Sequence, residues 1–439
     1  MVAARNRWRL TILLTLLSAL SNVDRQILSL LVGPIRADFK LSDTQIGLLA
    51  GPAFVILYAV TMLPCGRVVD YWNRRNLVAF GAFLWSVMTA GCGLAGSLRA
   101  IAMARAGVGI GEATLVPAAY SMIADSFPRT QLSRGLSFYA LGLPLGATLA
   151  LVGGGWLIGH LDSVGPIAIP LLGEFKPWQV TFQIVALPGI PLALLLRFFV
   201  SEPRRHSQVS MEAPPSTSSV LLYVWQHRSI YVAVFLGGGL LSVFTYGINY
   251  WLPTTLQRVH GFTIKESGLF IGLAILFLGM PGTLFAGWLA DRLVARGSAD
   301  GPLMVGMFYS SALLICLGFG PIAGPEWLSL SMVAAGMFFC NTWATGVAPA
   351  ILQQVTPGRM RGRVSAIYVL LSNLIGLGLG PPMVALATDH VFSRQSAVGE
   401  SLALVGTVTI VASTACMQGG RSALRLFKFR PPDHRVARQ

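Results

Sequence analysis

The sequence predicts an all-α integral membrane protein in which twelve transmembrane helices form two pseudo-symmetric six-helix bundles. Of its 439 residues, 54% are hydrophobic and 11% are charged, whereas a soluble domain carries about 25% charged residues. Twelve apolar runs are long enough to cross a bilayer, which takes about 20 residues, and short motifs of the first half recur in the second. This composition excludes both a water-soluble globular protein and a disordered chain.

The apolar runs define the spans in order along the chain. Several are longer than about 25 residues, so we expect those helices to tilt or to extend beyond the bilayer. Their predicted limits are 8–33, 45–71, 76–96, 100–126, 132–160, 177–200, 229–256, 264–293, 302–322, 327–355, 361–389 and 398–420.

The first span begins like a secretory signal, because Arg5, Arg7 and Arg9 precede an apolar stretch. The apolar character resumes beyond Asp24 and Arg25, which makes the run long enough to cross the membrane. We therefore predict a transmembrane helix here and not a cleaved leader.

Lysine and arginine lie mostly in the short gaps between spans. The chain has 32 of them against 17 acidic residues, for a net charge of +15. With the N-terminus inside, 23 fall on the cytoplasmic side and 7 outside, which is the bias typical of cytoplasmic loops. Both termini are therefore predicted to be cytoplasmic, at the inner membrane if the cell is bacterial. The basic charge reflects topology and does not indicate a nucleic-acid partner.

A polar stretch divides the chain into halves. Residues 201–219 are rich in proline and serine and lie between the sixth and seventh spans. We therefore predict an N-terminal six-helix bundle at 1–200, a cytoplasmic linker at 201–228, a C-terminal six-helix bundle at 229–420 and a basic cytoplasmic tail at 421–439.

The two halves echo each other at nearly constant spacing. Internal repeats around a site near the bilayer midplane are typical of secondary transporters. At offsets of 221 and then 229 residues, Gly66 corresponds to Gly287, Asp70 to Asp291, Pro128 to Pro357, Arg134 to Arg363 and Tyr139 to Tyr368.

Four motifs carry a resemblance to a known family. They are Gly66-x-x-x-Asp70-x-x-x-Arg74-Arg75 with a weaker copy at Gly287-x-x-x-Asp291-Arg292, Arg105 followed by Gly107, Gly109 and Gly111, Gly142-x-Pro144-x-Gly146, and Ser201-Glu202-Pro203-Arg204-Arg205. This set resembles the loop and helix motifs of the major facilitator superfamily. The resemblance implies the major facilitator fold and transport by alternating access.

A narrower resemblance is carried by the first four spans. Asn22-x-Asp24-Arg25, the run RAGVGIGEA at 105–113 and IADSF at 123–127 resemble the Spinster subfamily. That subfamily is associated with the movement of lysophospholipids and sphingolipids, and proton coupling is implicated for some members. The resemblance implies an amphiphilic lipid or another small molecule as substrate, together with protons. We expect a monomer surrounded by membrane lipid, with no cofactor and no metal.

Four charged residues fall inside apolar spans. Asp24 and Glu112 are candidates for proton coupling, and Arg25 and Arg105 are their charge partners or bind a substrate head group. Charge in hydrocarbon is costly and marks a functional site by default, although a structural pair that only orients helices is the alternative. Burial favours a neutral carboxyl and a nearby arginine favours a charged one. Helix heights leave open which acid meets which arginine.

The loop motif predicts a cytoplasmic gate. Gly66 would let the second and eleventh helices approach closely, and Asp70 would face the positive N-terminus of the eleventh helix. Alternatively, the arginines of the motif only set topology. The predicted gate residues are Gly66, Asp70, Arg74, Arg75, Asp291, Arg361 and Arg363.

Polar and aromatic residues inside the spans are candidates for the cavity wall. Each of them can instead be an ordinary packing or hydrogen-bonding residue between helices. The candidates are Asn22, Tyr139, Tyr246, Asn249, Trp251, Asn341, Trp343, Tyr368 and Asn373.

These features favour a secondary active transporter of a lipid-like amphiphile, coupled to protons through Asp24 or Glu112. The main alternative is a drug or small organic-ion exporter, because an apolar cavity suits both. A lipid-modifying membrane enzyme is disfavoured, since none of the six histidines lies well inside a span. We accordingly predict no catalytic residues. An ATP-driven pump is unsupported because the phosphate-binding GxxxxGK[ST] motif is absent from the sequence.

Overall fold

The computed structural model describes residues 2–128, 131–169, 173–203, 217–340, 343, 347–357 and 360–427. Twelve helices lie in the described part of the N-terminal half. They are α1 (Val2–Leu30), α2 (Val32–Phe39), α3 (Asp43–Ala50), α4 (Pro52–Tyr71), α5 (Arg74–Leu94), α6 (Leu98–Glu112), α7 (Leu115–Ser126), α8 (Leu132–Ala140), α9 (Gly142–Thr148), α10 (Gly154–Val164), α11 (Pro177–Ala186) and α12 (Gly189–Phe199).

Nine further helices follow in the described part of the second half. They are α13 (Thr217–Gln226), α14 (Arg228–His260), α15 (Ile264–Ala274), α16 (Met280–Ala295), α17 (Gly301–Leu313), α18 (Glu326–Phe339), α19 (Ala348–Val355), α20 (Arg361–Leu386) and α21 (Val398–Leu426). Helix α13 lies within the predicted linker at 201–228.

The predicted all-α membrane fold is confirmed. Nine helical runs of the described residues are long and apolar enough to cross a membrane. The first, fourth and tenth predicted spans correspond to α1, to α6 with α7, and to α18 with α19. Each of these three spans either contains charged residues or consists of two shorter helices. They therefore do not reach the length and hydropathy of the other nine.

Several spans change their winding part of the way along. Such π-helical turns occur mostly as single-turn insertions in α-helices and often lie at functional positions. The π-helical segments are Leu149–Gly153, Ile275–Gly279, Leu314–Phe319 and Ala387–Val391, and short 3₁₀ turns occupy Gly320–Ile322 and Gln395–Ala397.

A small hairpin joins the fifth and sixth spans. Strand β1 (Ile167–Ile169) pairs antiparallel with β2 (Gly173–Phe175), and Ala168 lies opposite Glu174. Gly173 has φ +91°, a left-handed conformation that glycine adopts without steric cost. The sequence analysis did not predict this hairpin because its strands are only three residues long.

The two halves meet along two pairs of spans. Helices α3 and α4 pack on α20, and α10 with the π-helical turn at Leu149–Gly153 packs on α15. A Cβ at Gly51 would collide with the carbonyl oxygen of Leu377, and one at Gly268 would collide with that of Leu151. Glycine is therefore required where the backbones of opposite halves approach most closely.

The contacts between halves differ at the two ends of the molecule. At the predicted outer end, Arg258 of α14 forms two hydrogen bonds with Asp43 of α3, and Asp389 accepts hydrogen bonds from the backbone and hydroxyl of Thr44. At the opposite end, a Cβ at Gly66 would meet nothing within 4 Å. Charged and polar side chains therefore join the halves at the predicted outer end.

Candidate functional site

Helices α1 and α6 bring the four intramembrane charges together. Asp24, Arg105 and Glu112 are buried, and the side chain of Arg25 keeps 22% of its surface exposed. Helix α1 also packs on α14 of the opposite half. The cluster therefore lies beside the boundary between the bundles, with one cation accessible from the space between them.

Arg25 and Glu112 form the ion pair of this cluster. Arg25 Nε lies 2.7 Å from Glu112 Oε2, and its Nη2 lies 2.5 Å from the same oxygen. The hydroxyl of Ser21, one turn earlier on α1, also donates to Oε2 at 2.7 Å. Among the described residues the other oxygen, Oε1, has no hydrogen-bond partner. One carboxylate oxygen thus takes three donors and the other takes none.

Asp24 and Arg105 meet differently. Arg105 Nη1 donates to the backbone carbonyl oxygen of Asp24 at 3.1 Å. Within the described chain, Asp24 Oδ1 and Arg105 Nε are buried without a hydrogen-bond partner. The pairing that helix heights left open is therefore Arg25 with Glu112, and the Asp24 carboxylate forms no ion pair with the described residues.

Aromatic rings of α4 cover the two arginines. The guanidinium carbon of Arg25 lies 5.0 Å from the ring centre of Phe54 and 5.2 Å from that of Tyr58, and that of Arg105 lies 5.3 Å from Phe54. Rings at these distances attract a cation through their negative faces. They stabilise the guanidinium groups in an apolar setting and leave their N–H donors available to anions.

The C-terminal half contributes polar groups opposite Arg25. Tyr246 of α14 donates its hydroxyl to Asn373 Oδ1 of α20 at 2.8 Å, both residues are half-buried, and Tyr246 interacts electrostatically with Arg25. Of the other predicted wall residues, Asn22 is half-buried and donates to the carbonyl oxygen of Leu143 on α9. Tyr246, which is hydrogen-bonded to Asn373, therefore lies near Arg25, whereas Asn22 joins α1 to α9.

Other predicted wall residues are buried between helices. Trp251 is buried and donates to the carbonyl oxygen of Pro381 at 2.9 Å, so it joins α14 to α20 and does not line an open cavity. Trp343, Tyr368 and Tyr139 are also buried. Large rings at positions that neighbouring helices cover act in packing. Asn249 is half-buried beside Cys340, and Asn341 lies outside the described residues.

The predicted gate arginines bind within their own half. Arg74 donates to Asp125 at 2.5 Å and to Glu202 at 2.7 Å, and the backbone N–H of Arg75 donates to Glu202. These contacts tie the predicted cytoplasmic ends of α5, α7 and α12 together. The role is structural as well as topological, and it requires two acids that the sequence analysis did not select.

The structure describes the remaining gate residues only in part. Gly66 and Asp291 are exposed, Arg361 donates its Nε–H to the carbonyl oxygen of Thr356, and Arg363 is exposed. The Asp70 side chain lies outside what the structure describes. Among the described residues, the second and eleventh helices make no close contact at Gly66, and the predicted latch stays a prediction.

Sequence reasoning missed the polar contacts at the outer end. Asp43 is fully buried and accepts both hydrogen bonds from Arg258, while Arg36 Nε lies 3.3 Å away. These residues fall at the ends of spans, where charge is ordinary, and Asp43 is 215 residues from Arg258. The sequence contained a partial signal, since Ser42 and Gln45 form a capping box that begins α3.

Comparisons with known proteins agree with this architecture. A family model described as Major Facilitator Superfamily matches residues 14–381. An MFS-type efflux pump of Mycolicibacterium smegmatis is 28% identical over 422 residues, which cover 94% of this chain and 92% of that protein. A probable L-galactonate transporter of Escherichia coli is 26% identical over 423 residues, which cover 92% and 87%.

A solved structure shares the fold over nearly the whole chain. A bacterial homologue of the human lysosomal transporter Spinster, in an inward-facing and unoccupied conformation, aligns with a TM-score of 0.77. The alignment covers 96% of each chain at 23% identity. The likeness supports the arrangement of helices described above.

Proposed function

Because this chain belongs to the Major Facilitator Superfamily, in which its relatives are transporters and not enzymes, we propose that it is a proton-coupled carrier of an anionic, lipid-like amphiphile. It is a secondary transporter and resembles Spinster in fold. Transport would proceed by alternating access, as the two bundles rock about the site between them. The finer proposal concerns what it carries and which ion drives it.

The observation that carries the proposal is the ion pair of Arg25 with Glu112. Glu112 is wholly buried, whereas Arg25 remains partly exposed beside the boundary between the halves. An exposed guanidinium suits a carboxylate or phosphate, which it can bind through two parallel N–H donors. In the resting pair these donors are directed at Glu112 Oε2.

Proton binding would release this arginine. A proton on Glu112 removes the negative charge that holds Arg25, and Oε1 is the oxygen without a hydrogen-bond partner among the described residues. Arg25 would then bind the anionic head of the substrate. Substrate and proton thus favour each other's binding, and this coupling is reciprocal by thermodynamic necessity. Asp24 lies close enough to change the local charge during the cycle.

Three classes of substrate are candidates. The Spinster-like motifs of the first four spans favour a lysophospholipid or sphingolipid type. A small organic anion is the second candidate, because one relative is named for the transport of L-galactonate. A drug exporter is the third, because another relative is named as an efflux pump. An anionic group common to the first two would meet Arg25.

An uptake panel in proteoliposomes tests the proposal. The panel offers lysophosphatidylglycerol, the net-neutral lysophosphatidylcholine, sphingosine phosphate, L-galactonate and a cationic dye, with and without a pH gradient. We expect gradient-driven uptake of an anionic amphiphile, with strong loss in Arg25→Gln and none in Arg394→Gln, which removes an exposed arginine. Uptake of the dye alone, or equal uptake of neutral and anionic head groups, would contradict the arginine role.

We also propose that both termini are cytoplasmic and that the carrier is a monomer, on the basis of the loop charges and a site built within one chain. Protease-cleavable tags at Ser210 and Gln439 test the orientation. Both tags should be protected in intact cells and cut only after the membrane is opened. Cleavage of either tag in intact cells would reverse the topology.

A further inference from the structure

A cavity lies at the predicted cytoplasmic end of the C-terminal half, apart from the central charge cluster. Its volume is about 800 Å³. The linker helix α13 forms one wall, and the ends of α14, α19, α20 and α21 form the others. Its lining includes Tyr223, Gln226, His227, Ser229, Arg361 and Leu426.

The lining carries basic side chains. Arg361 and His227 line the cavity, and none of the described residues that line it is acidic. Helix α14 begins at Arg228 and α20 at Arg361, and neither N-terminus has a side-chain cap. The first-turn N–H groups of a helix have no partner within the helix and carry partial positive charge. Both features favour an anion.

Two backbone carbonyl oxygens that face this cavity already accept hydrogen bonds. Helix α19 ends at the cavity, and its last carbonyl oxygen, that of Val355, accepts the hydroxyl of Tyr223 at 2.7 Å. The next carbonyl oxygen, that of Thr356, accepts Arg361 Nε–H at 3.0 Å. The carbonyl oxygens of Val355 and Thr356 are therefore already hydrogen-bonded. Arg361, with no acidic side chain among the described lining residues, favours an anionic ligand over a cationic one.

The mouth of the cavity is apolar. Leu426 lines the cavity and is 82% exposed, and the linker helix exposes Leu221, Leu222 and Trp225. The guanidinium of Arg228 lies 5.6 Å from the Trp225 ring centre. Tryptophan with a neighbouring arginine is typical of residues at the membrane–water interface. A ligand here would meet donors at its head and apolar side chains along its tail.

We propose that this cavity binds the head group of an anionic phospholipid from the inner leaflet, with its acyl chains lying along Leu426 and the exposed face of α13. The cavity is larger than a free phosphate requires. A free phosphate would also make no favourable contact with the apolar side chains at the mouth of the cavity. The site is distinct from the transport site, since its residues do not include Arg25, Asp24, Arg105 or Glu112.

Native mass spectrometry of the full-length protein in detergent tests the assignment. Phosphatidylglycerol and phosphatidylcholine with the same acyl chains are titrated, and glycerol phosphate represents the head group alone. We expect phosphatidylglycerol to bind more tightly than phosphatidylcholine. Arg361→Gln should weaken phosphatidylglycerol binding about fivefold, the effect of one basic residue at an anionic surface. Arg292→Gln removes an exposed arginine outside the cavity and should leave binding unchanged.

A second pair of variants keeps the test independent of Arg361. Gln226 is an exposed lining residue, so Gln226→Glu should weaken phosphatidylglycerol binding and Gln226→Lys should strengthen it. Equal affinity for the two lipids, or an equal effect of Arg361→Gln and Arg292→Gln, would overturn the proposal. Binding of glycerol phosphate as tight as that of phosphatidylglycerol would show a free-phosphate site and would also overturn it.

Discussion

Asp43 and Arg258 join the two halves of the protein through a bidentate ion pair at the predicted outer end. Arg258 Nη1 lies 2.6 Å from Asp43 Oδ2, and its Nη2 lies 2.9 Å from Oδ1. Asp43 is fully buried, and Arg36 of its own half lies 3.3 Å away. A paired charge that is buried only while the halves touch favours the closed outer end.

Removal of one partner should open this end. Arg258→Gln leaves the Asp43 charge buried beside Arg36 alone, and breaking a buried pair costs roughly 3–5 kcal/mol. We expect a shift toward the outward-open state. In a cysteine-free background, spin labels at Arg99→Cys and Ser396→Cys, exposed positions at the outer ends of opposite halves, should report a larger fraction of long distances.

The double variant Asp43→Asn/Arg258→Gln is the matched control. It lacks the pair but leaves no stranded charge, so it should open the outer end while losing less thermal stability than Arg258→Gln alone. Distance distributions identical to those of the parent protein in both variants would show that the pair does not hold the halves together.

The ion pairs of Asp300 should make the free energy of unfolding depend on pH. Although burial raises its pKa, hydrogen bonds from Arg425 and Arg421 hold the pKa of Asp300 below its ordinary value, with oxygen–nitrogen distances of 2.9 and 2.7 Å. A depressed folded-state pKa stabilises the protein above the unfolded pKa of about 3.9, and that stabilisation is lost as pH falls through the folded value.

Asp300→Asn should therefore lower the melting temperature at pH 7. Charge-assisted hydrogen bonds contribute about 1.5–3 kcal/mol, and the deficit relative to the parent should shrink as the pH falls below about 4. Thermal unfolding in detergent from pH 7 to pH 3.5 measures this. Glu174→Gln, at an exposed position of β2, should show no such trend. A deficit that stays constant with pH would contradict the linkage.

The cytoplasmic gate predicts an ordered pair of effects. Asp70→Asn should weaken the latch that forms in the outward-open state and enlarge the inward-open population. Asp291→Asn should do less, because its motif copy is weaker. Spin labels at Ser201→Cys and Arg296→Cys, exposed at the cytoplasmic ends of opposite halves, report the change. If both variants match the parent, Asp70 is a surface charge and the latch is wrong.

Hydropathy and charge bias were sufficient to predict the membrane fold, because the bilayer imposes length and polarity on every span. The same signals cannot register a π-helical turn such as Leu149–Gly153, since its composition matches that of the surrounding helix. They also could not show that Trp251 binds the Pro381 carbonyl, because an aromatic residue in a span suits a cavity wall and a packed interface equally.

The charges of the site were predictable, but their pairing was not. Intramembrane charge singled out Asp24, Arg25, Arg105 and Glu112 because such residues are rare in hydrocarbon. A helix rises about 1.5 Å per residue, so an error of about three residues at a span boundary shifts a predicted height by about 4.5 Å and leaves the partners undecided. Ser21, which donates to Glu112, carried no signal because a serine is ordinary in a transmembrane helix.

The central claim is that a proton on Glu112 is coupled to an anion on Arg25. Glu112→Gln keeps the shape of the side chain but fixes it as neutral, and Asp24→Asn does the same for its neighbour. The direct measurement compares pH-gradient-driven uptake with counterflow at equal pH in proteoliposomes, beside the melting temperature of each purified variant. We predict that Glu112→Gln folds, retains counterflow and loses gradient-driven uptake. Well-folded Glu112→Gln and Asp24→Asn proteins that both keep normal gradient-driven uptake would contradict the account.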